Sequence, residues 1–185
     1  MLAARRSLAG TELLLRDGAD VGACDGQGYT ALAMAACLGE AGTAALLVKH
    51  GARLDAVKFK QSVEEGGPDK EAAGNDGRLV APWGLAMDCP SPKGVETLID
   101  LGMNVDLVGT HPDDAGRLET PLVAAVRTQQ PLIVEMLVRR GASLARAFSC
   151  NPGLLEFCRQ RSGDDAFRIL DLLVKHGAAE LDIQR

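Results

Sequence analysis

The chain has 185 residues, 46% hydrophobic and 3% aromatic, with 20 basic and 25 acidic residues for a formal net charge of −5. That apolar share supports a buried core and excludes disorder throughout, and the acidic balance excludes a broad positive field that would gather nucleic-acid phosphates. Scarce aromatics beside abundant Ala, Leu and Gly point to short, tightly packed helices rather than a sheet.

In chain order, a Leu-rich run first leads to Gly18, leaving room for part of one helix from near Leu2. The leading residues carry no apolar stretch of signal-peptide length, and no segment approaches the ~20 apolar residues of a membrane span, so neither a leader nor a membrane is expected. Next, Thr30-Ala31-Leu32-Ala33 opens a helix pair, Ala31 to Leu38 and Gly42 to Lys49, that ends at Gly51. A polar segment, Lys58 to Gly77, follows, with the loop-forming core Glu64-Glu65-Gly66-Gly67-Pro68-Asp69-Lys70-Glu71. Ala81-Pro82-Trp83-Gly84 opens a second pair, Pro82 to Met87 and Lys93 to Leu101; Ala81 offers no capping oxygen, so that helix starts about 1 kcal/mol less favourably. After a smaller extension, Thr110 to Arg117, Thr120-Pro121-Leu122-Val123 opens a third, Pro121 to Thr128 and Pro131 to Arg139. Thr120 is suited to cap its helix and Pro121 to occupy the first turn, and Asn151-Pro152 repeats that pattern. The last unit, about Asn151 to Asp182, has five more residues than usual before its glycine, assigned to Arg161 through Asp165.

These elements repeat. A Leu-rich phrase ends at Gly18, Gly51, Gly102, Gly141 and Gly177, at intervals of 33, 51, 39 and 36 residues, and the three tetrads each begin 21 residues before their glycine. Each glycine falls just past a helix end, where a left-handed residue closes the helix without a Cβ penalty. The basal 33-residue period and the Thr-Pro-Leu phrase resemble the ankyrin-repeat family, most closely from Asp25 to Ala56 through Asp25, Gly28, Thr30, Leu32, Ala35, Ala36, Gly39, Leu46, Leu47, Gly51 and Ala52. None of the tetrads ends in the family's usual histidine.

The resemblance implies an all-α solenoid of helix-turn-helix units with finger loops, one finger carrying a long insertion. Its units are a partial repeat at 1–23, repeats at 24–57, 58–109 (insert 58–77) and 110–147, and a degenerate terminal repeat at 148–185. It also implies a non-catalytic module that binds a partner protein through the finger loops and the concave helical face. Carried over position by position, that surface contains Gln27, Tyr29, Cys37 and Leu38 from the first full repeat. The next repeat contributes Arg78, Val80, Asp88 and Cys89, and the following one Arg117, Glu119, Arg127 and Thr128. Tyr29, Arg78 and Arg127 are the types most often dominant in interfaces. The inserted finger reads either as a tolerated surface loop or as a partner-grasping one.

No cofactor, metal, nucleic acid or membrane is expected, and the chain is expected to be a monomer. The odd count of five cysteines, without a C-x-x-C pair, fits a reducing compartment, cytoplasm or nucleus. His50 and His176 precede helix-ending glycines, where a side chain can meet the last carbonyls; His111 has no metal spacing around it. The alternatives are a transcriptional co-regulator or ubiquitin-ligase adaptor acting through such binding, a fragment of a larger ankyrin array, and a cysteine-dependent enzyme using Cys89 or Cys150 with His111. The stacking expectation is tested at Leu137: replacing it with Ala lowers stability by about 2–5 kcal/mol in a denaturant melt, and an unchanged midpoint rules out a covered Leu137.

Overall fold

The computed structural model describes residues 8–25, 28–55, 57–58, 79–87, 92–111 and 114–178. Most of these are helical: α1 (Leu8–Arg16), α2 (Ala31–Cys37), α3 (Ala41–Lys49), α4 (Trp83–Ala86), α5 (Lys93–Asp100), α6 (Pro121–Arg127), α7 (Pro131–Arg139), α8 (Leu144–Cys150), α9 (Leu154–Gln160) and α10 (Asp164–Lys175). Four short strands complete the order: β1 (Val57–Lys58), β2 (Leu79–Val80), β3 (Gly109–His111) and β4 (Asp114–Glu119). Among the described residues no helix is long and apolar enough to cross a membrane.

Helix starts follow local chemistry. Thr30 and Thr120 stand in extended backbone, and their hydroxyls accept from the amides of Ala33 (3.3 Å) and Val123 (3.4 Å). Behind the uncapped Ala81, α4 manages a single turn of four residues. It is held instead by Trp83, fully buried, whose indole N–H donates to the Leu107 carbonyl at 2.9 Å. Helix ends follow the glycines: Gly18, Gly51, Gly102, Gly141 and Gly177 all have φ between 83° and 103°. At four of them the next residue's amide returns to a carbonyl five residues back, as in Ala52 to Leu47 (2.9 Å) and Met103 to Leu98 (2.9 Å).

The helices lie in two rows. In one, α1 packs on α3, α3 on α5, and α7 on α10. Between α5 and α7, Arg140 reaches Glu96 (3.0 Å) and Asp100 (2.5 Å), and Arg168 of α10 reaches Glu135 of α7 (3.2 Å). In the other row α2 packs on α4 and α6 on α9, while the Gln130 side-chain amide donates to the Met87 carbonyl that follows α4. A single apolar cluster runs between the rows from Leu32 through Trp83 and Leu122 to Leu173. Leu47, Leu98, Leu137 and Leu173, each four residues before its glycine, are at most 1% exposed.

Three expectations are corrected. The connecting loops contain a small sheet, ordered β1-β2-β3-β4, with β1 antiparallel to β2 (Val57 opposite Val80), β2 parallel to β3 (Val80 opposite Thr110) and β3 antiparallel to β4 (Gly109 opposite Glu119). Most of these strands are too short to reveal an alternating pattern in sequence. Asn151 does not cap a helix with its side chain: it ends α8, its backbone carbonyl accepts from Leu154, and α9 begins behind Gly153. The additional helix α8 is capped by Ser143, which accepts from the Arg146 amide at 3.2 Å. Of the extra residues assigned to Arg161 through Asp165, Asp164 and Asp165 belong to α10, 12 residues long, and stand in its positive first turn. The helix expected from near Leu2 is described from Leu8 onward; of the insert only Lys58, in β1, falls among the described residues.

One helix contact leaves no room for a side chain. Gly94 of α5 lies against α2, where an added Cβ would stand 2.6 Å from the Ala36 carbonyl oxygen and 3.2 Å from the Ala86 Cβ. The same position relative to the closing glycine holds Thr43, Ile133 and Ile169 in three other units, all buried, and Gly10 in the first, so it is the Ala36 carbonyl that excludes a side chain at Gly94. Gly94→Ala therefore forces α5 away from backbone and lowers stability by about 1–3 kcal/mol despite Ala's better helix propensity; a melt equal to or above wild type refutes the close approach.

Candidate interaction surface

The residues carried over from sequence do not form one exposed patch. Gln27, Arg78, Asp88 and Cys89 lie outside the described residues. Leu38, at the end of α2, is exposed (48%), while Cys37, Val80, Arg117, Arg127 and Thr128 are half-buried. Tyr29 and Glu119 are buried, at 5% and 0% exposure, which corrects their placement on the surface.

Both corrections have the same origin. Each residue immediately precedes a capping threonine, where the connecting segment turns down into its helix. At Tyr29 the turn is closed by the amides of Gly28, donating to the Asp25 carbonyl (3.0 Å), and Tyr29, donating to the Asp25 carboxylate (2.9 Å). Cys24 bridges to Thr30 across it. At Glu119 the strand alternates, so Arg117 and Glu119 share one face of β4 and Leu118 the other, where it is 52% exposed.

The buried Glu119 carboxylate meets the Arg127 guanidinium in a two-pronged pair, Nη2 to Oε1 at 3.0 Å and Nε to Oε2 at 3.4 Å. Arg127 is thus partly committed to the fold, and Thr128 donates its hydroxyl to the Ala124 carbonyl at 2.8 Å. What remains open beside the pair is a groove of about 280 Å³ lined by Arg117, Arg127, Asn151, Gly153, Glu156, Phe157 and Gln160. It joins β4, the end of α6 and the start of α9.

Its electrostatics are uneven. Glu156 is occupied by its own helix, accepting from Gln160 at 3.0 Å and pairing with Arg159 at 3.8 Å. The Arg161 guanidinium lies over the Phe157 ring, 4.8 Å from its centroid. Sequence reasoning missed the contribution of α9; the Phe157 and Arg161 spacing of four residues on one helix was its available signal.

Among the described residues no group of three or more His, Cys, Asp or Glu could hold a metal ion. Burial pushes the Cys158 thiol up to about 11, with Arg159 opposing, so at neutral pH it is protonated and a poor nucleophile. Cys24, Cys37 and Cys150 form no disulfide among the described residues. His50 and His176 meet the last carbonyls of α3 and α10 through their backbone amides, and both residues are exposed.

Compared with known proteins, the chain matches no family model and no curated protein. The Glu119 pair makes its own prediction. Arg127→Ala leaves a carboxylate buried without its guanidinium and lowers stability by about 2–3 kcal/mol, whereas Arg127→Lys, which keeps the charge and loses the fork, loses less. Denaturant melts of the two variants check this, and an Ala variant within about 0.5 kcal/mol of wild type places Glu119 in contact with solvent.

Proposed function

We propose that the chain is an ankyrin-repeat solenoid of about four and a half repeats, and that it works as a non-catalytic protein-interaction module. Its partner protein lies across the finger loops and the concave helical face. The observation that supports this most directly is the recurrence of one structural phrase, a buried leucine followed four residues later by a left-handed glycine, at Gly51, Gly102, Gly141 and Gly177. Short helices closed in the same way and packed in rows form a stiff frame, and a stiff frame presents loop and helix-end side chains at fixed positions. The departures from the family pattern bear on recognition: the altered tetrads, the sheet at the base of the fingers and the extra helix α8 reshape the surface such a partner meets. Cytoplasm or nucleus is the proposed compartment, with a monomer as the working unit. Co-regulator and adaptor roles are the same binding event with different partners.

The test is affinity capture from a lysate of the source cell with mass-spectrometric identification, comparing wild type with a Leu38→Glu, Leu118→Glu double variant. Both side chains are about half exposed, so the variant melts within about 1 kcal/mol of wild type. The expected result is a specific partner held by wild type and lost by the variant. A partner held equally by both overturns the proposed face, and the absence of any specific partner overturns the interaction module itself.

A further inference from the structure

The groove between β4, α6 and α9 has a charge that the rest of the chain does not share. Four arginines, Arg117, Arg127, Arg159 and Arg161, lie in or beside it against two carboxylates, Glu119 and Glu156, in a chain whose formal net charge is −5. Within the groove the carboxylates are already engaged: Glu119 by Arg127 at 3.0 Å, Glu156 by Gln160 at 3.0 Å and by Arg159 at 3.8 Å. Arg117 is different. It lines the groove from β4, half-buried, with no hydrogen bond or ion pair among the described residues. Across from it α9 supplies the Phe157 ring and the Gln160 amide, and the end of α8 supplies the Asn151 amide. A volume of about 280 Å³ admits one or two side chains and not a cofactor.

We propose that this groove docks an extended acidic segment of a partner protein, with a carboxylate side chain seated on Arg117 and a neighbouring apolar side chain against the Phe157 ring. The proposal rests on the interaction-module reading and names the chemistry of the partner at one place on it. An arginine with no partner among the described residues suits a carboxylate. The ring and the flanking amides suit a polypeptide, whose alternate side chains and backbone groups they address together. Single-stranded nucleic acid also stacks on aromatic rings, but it brings many phosphates and needs an extended basic track.

The experiment is selection of a displayed random dodecamer peptide library on the intact chain, with the Arg117→Glu chain as counter-selection. The most enriched peptide is then made with a fluorophore and titrated by anisotropy. Peptides pairing Asp or Glu with Leu, Phe or Trp are expected to dominate. The selected peptide is expected to bind at least tenfold more weakly to Arg117→Glu, several-fold more weakly to Phe157→Ala, and more weakly to wild type as salt is raised. Arg117→Gln, which removes the charge without reversing it, serves where the glutamate variant melts abnormally. Acidic peptides indifferent to both Arg117 variants overturn the groove while leaving a peptide-binding module standing. Basic peptides, no enrichment, or displacement of the peptide by a dodecamer of thymidine at lower concentration also overturn it. Loss of the interaction reading is read separately, from the lysate capture.

Discussion

A helix of seven to nine residues gains too little from its own hydrogen bonds to persist in water, and among the described residues eight helices are of that length and α4 is shorter still. Coverage by a neighbour is therefore the condition on which the rest of the structure depends. It explains why Leu47, Leu98, Leu137 and Leu173 are sealed almost completely, and why their helices all stop at the same distance beyond them. A helix that overran its glycine would carry its leucine-bearing face past the neighbour meant to cover it. At Gly51, Gly102 and Gly141 the left-handed glycine and the amide returned to the carbonyl five residues back end the helix without leaving that carbonyl unsatisfied. Where α2 and α5 meet, at Ala36 and Gly94, even a methyl group exceeds the space.

The same demand for coverage organises the surface beside α6. Glu119 sits where the segment from β4 turns into the helix, a position buried at Tyr29 as well. An aromatic side chain satisfies that position by packing. A carboxylate satisfies it only with a cation, so Arg127, eight residues on, folds back to meet it. This pair joins strand to helix and fixes Arg117 two residues earlier on the same strand face. The half-buried arginine of the groove is thus placed by the pair beside it.

Helix boundaries were legible in the sequence because they depend on local chemistry. Thr30 and Thr120 announce starts and the five glycines announce ends, and the expected spans of α2, α3, α5, α6 and α7 differ from the observed ones by a residue at most at either end. The sheet was not legible: Val80 pairs with Thr110, 30 residues away, and neither segment carries enough alternation to signal a partner. Asn151-Pro152 was misread for a related reason, since the same dipeptide that can begin a helix here follows the end of α8, whose own cap is Ser143. Site residues fared unevenly. Types favoured at interfaces are also types that can be buried with a partner, and sequence distance does not reveal that Glu119 and Arg127 meet. Phe157 and Glu156 entered the groove only because α9 packs against α6, a tertiary fact.

The proposed recognition follows from how little the receptor must reorganise. Arg127 is held by a buried carboxylate, Phe157 is overlaid by Arg161, and α6 and α9 are packed on a continuous core, so the ordering cost on this side is met by folding. An incoming extended segment bears most of the remaining entropy loss itself, which keeps affinity modest and makes it sensitive to the few contacts that discriminate. The electrostatic contribution acts in the same direction. Exposed charges are screened beyond about 8–10 Å at physiological ionic strength, so the chain's overall acidity repels an acidic partner only weakly at the groove, where nearby arginines outweigh carboxylates. Attraction is consequently confined to the place where the geometry fits, and an acidic segment that misses the groove finds no comparable arginine excess along the described remainder of the chain.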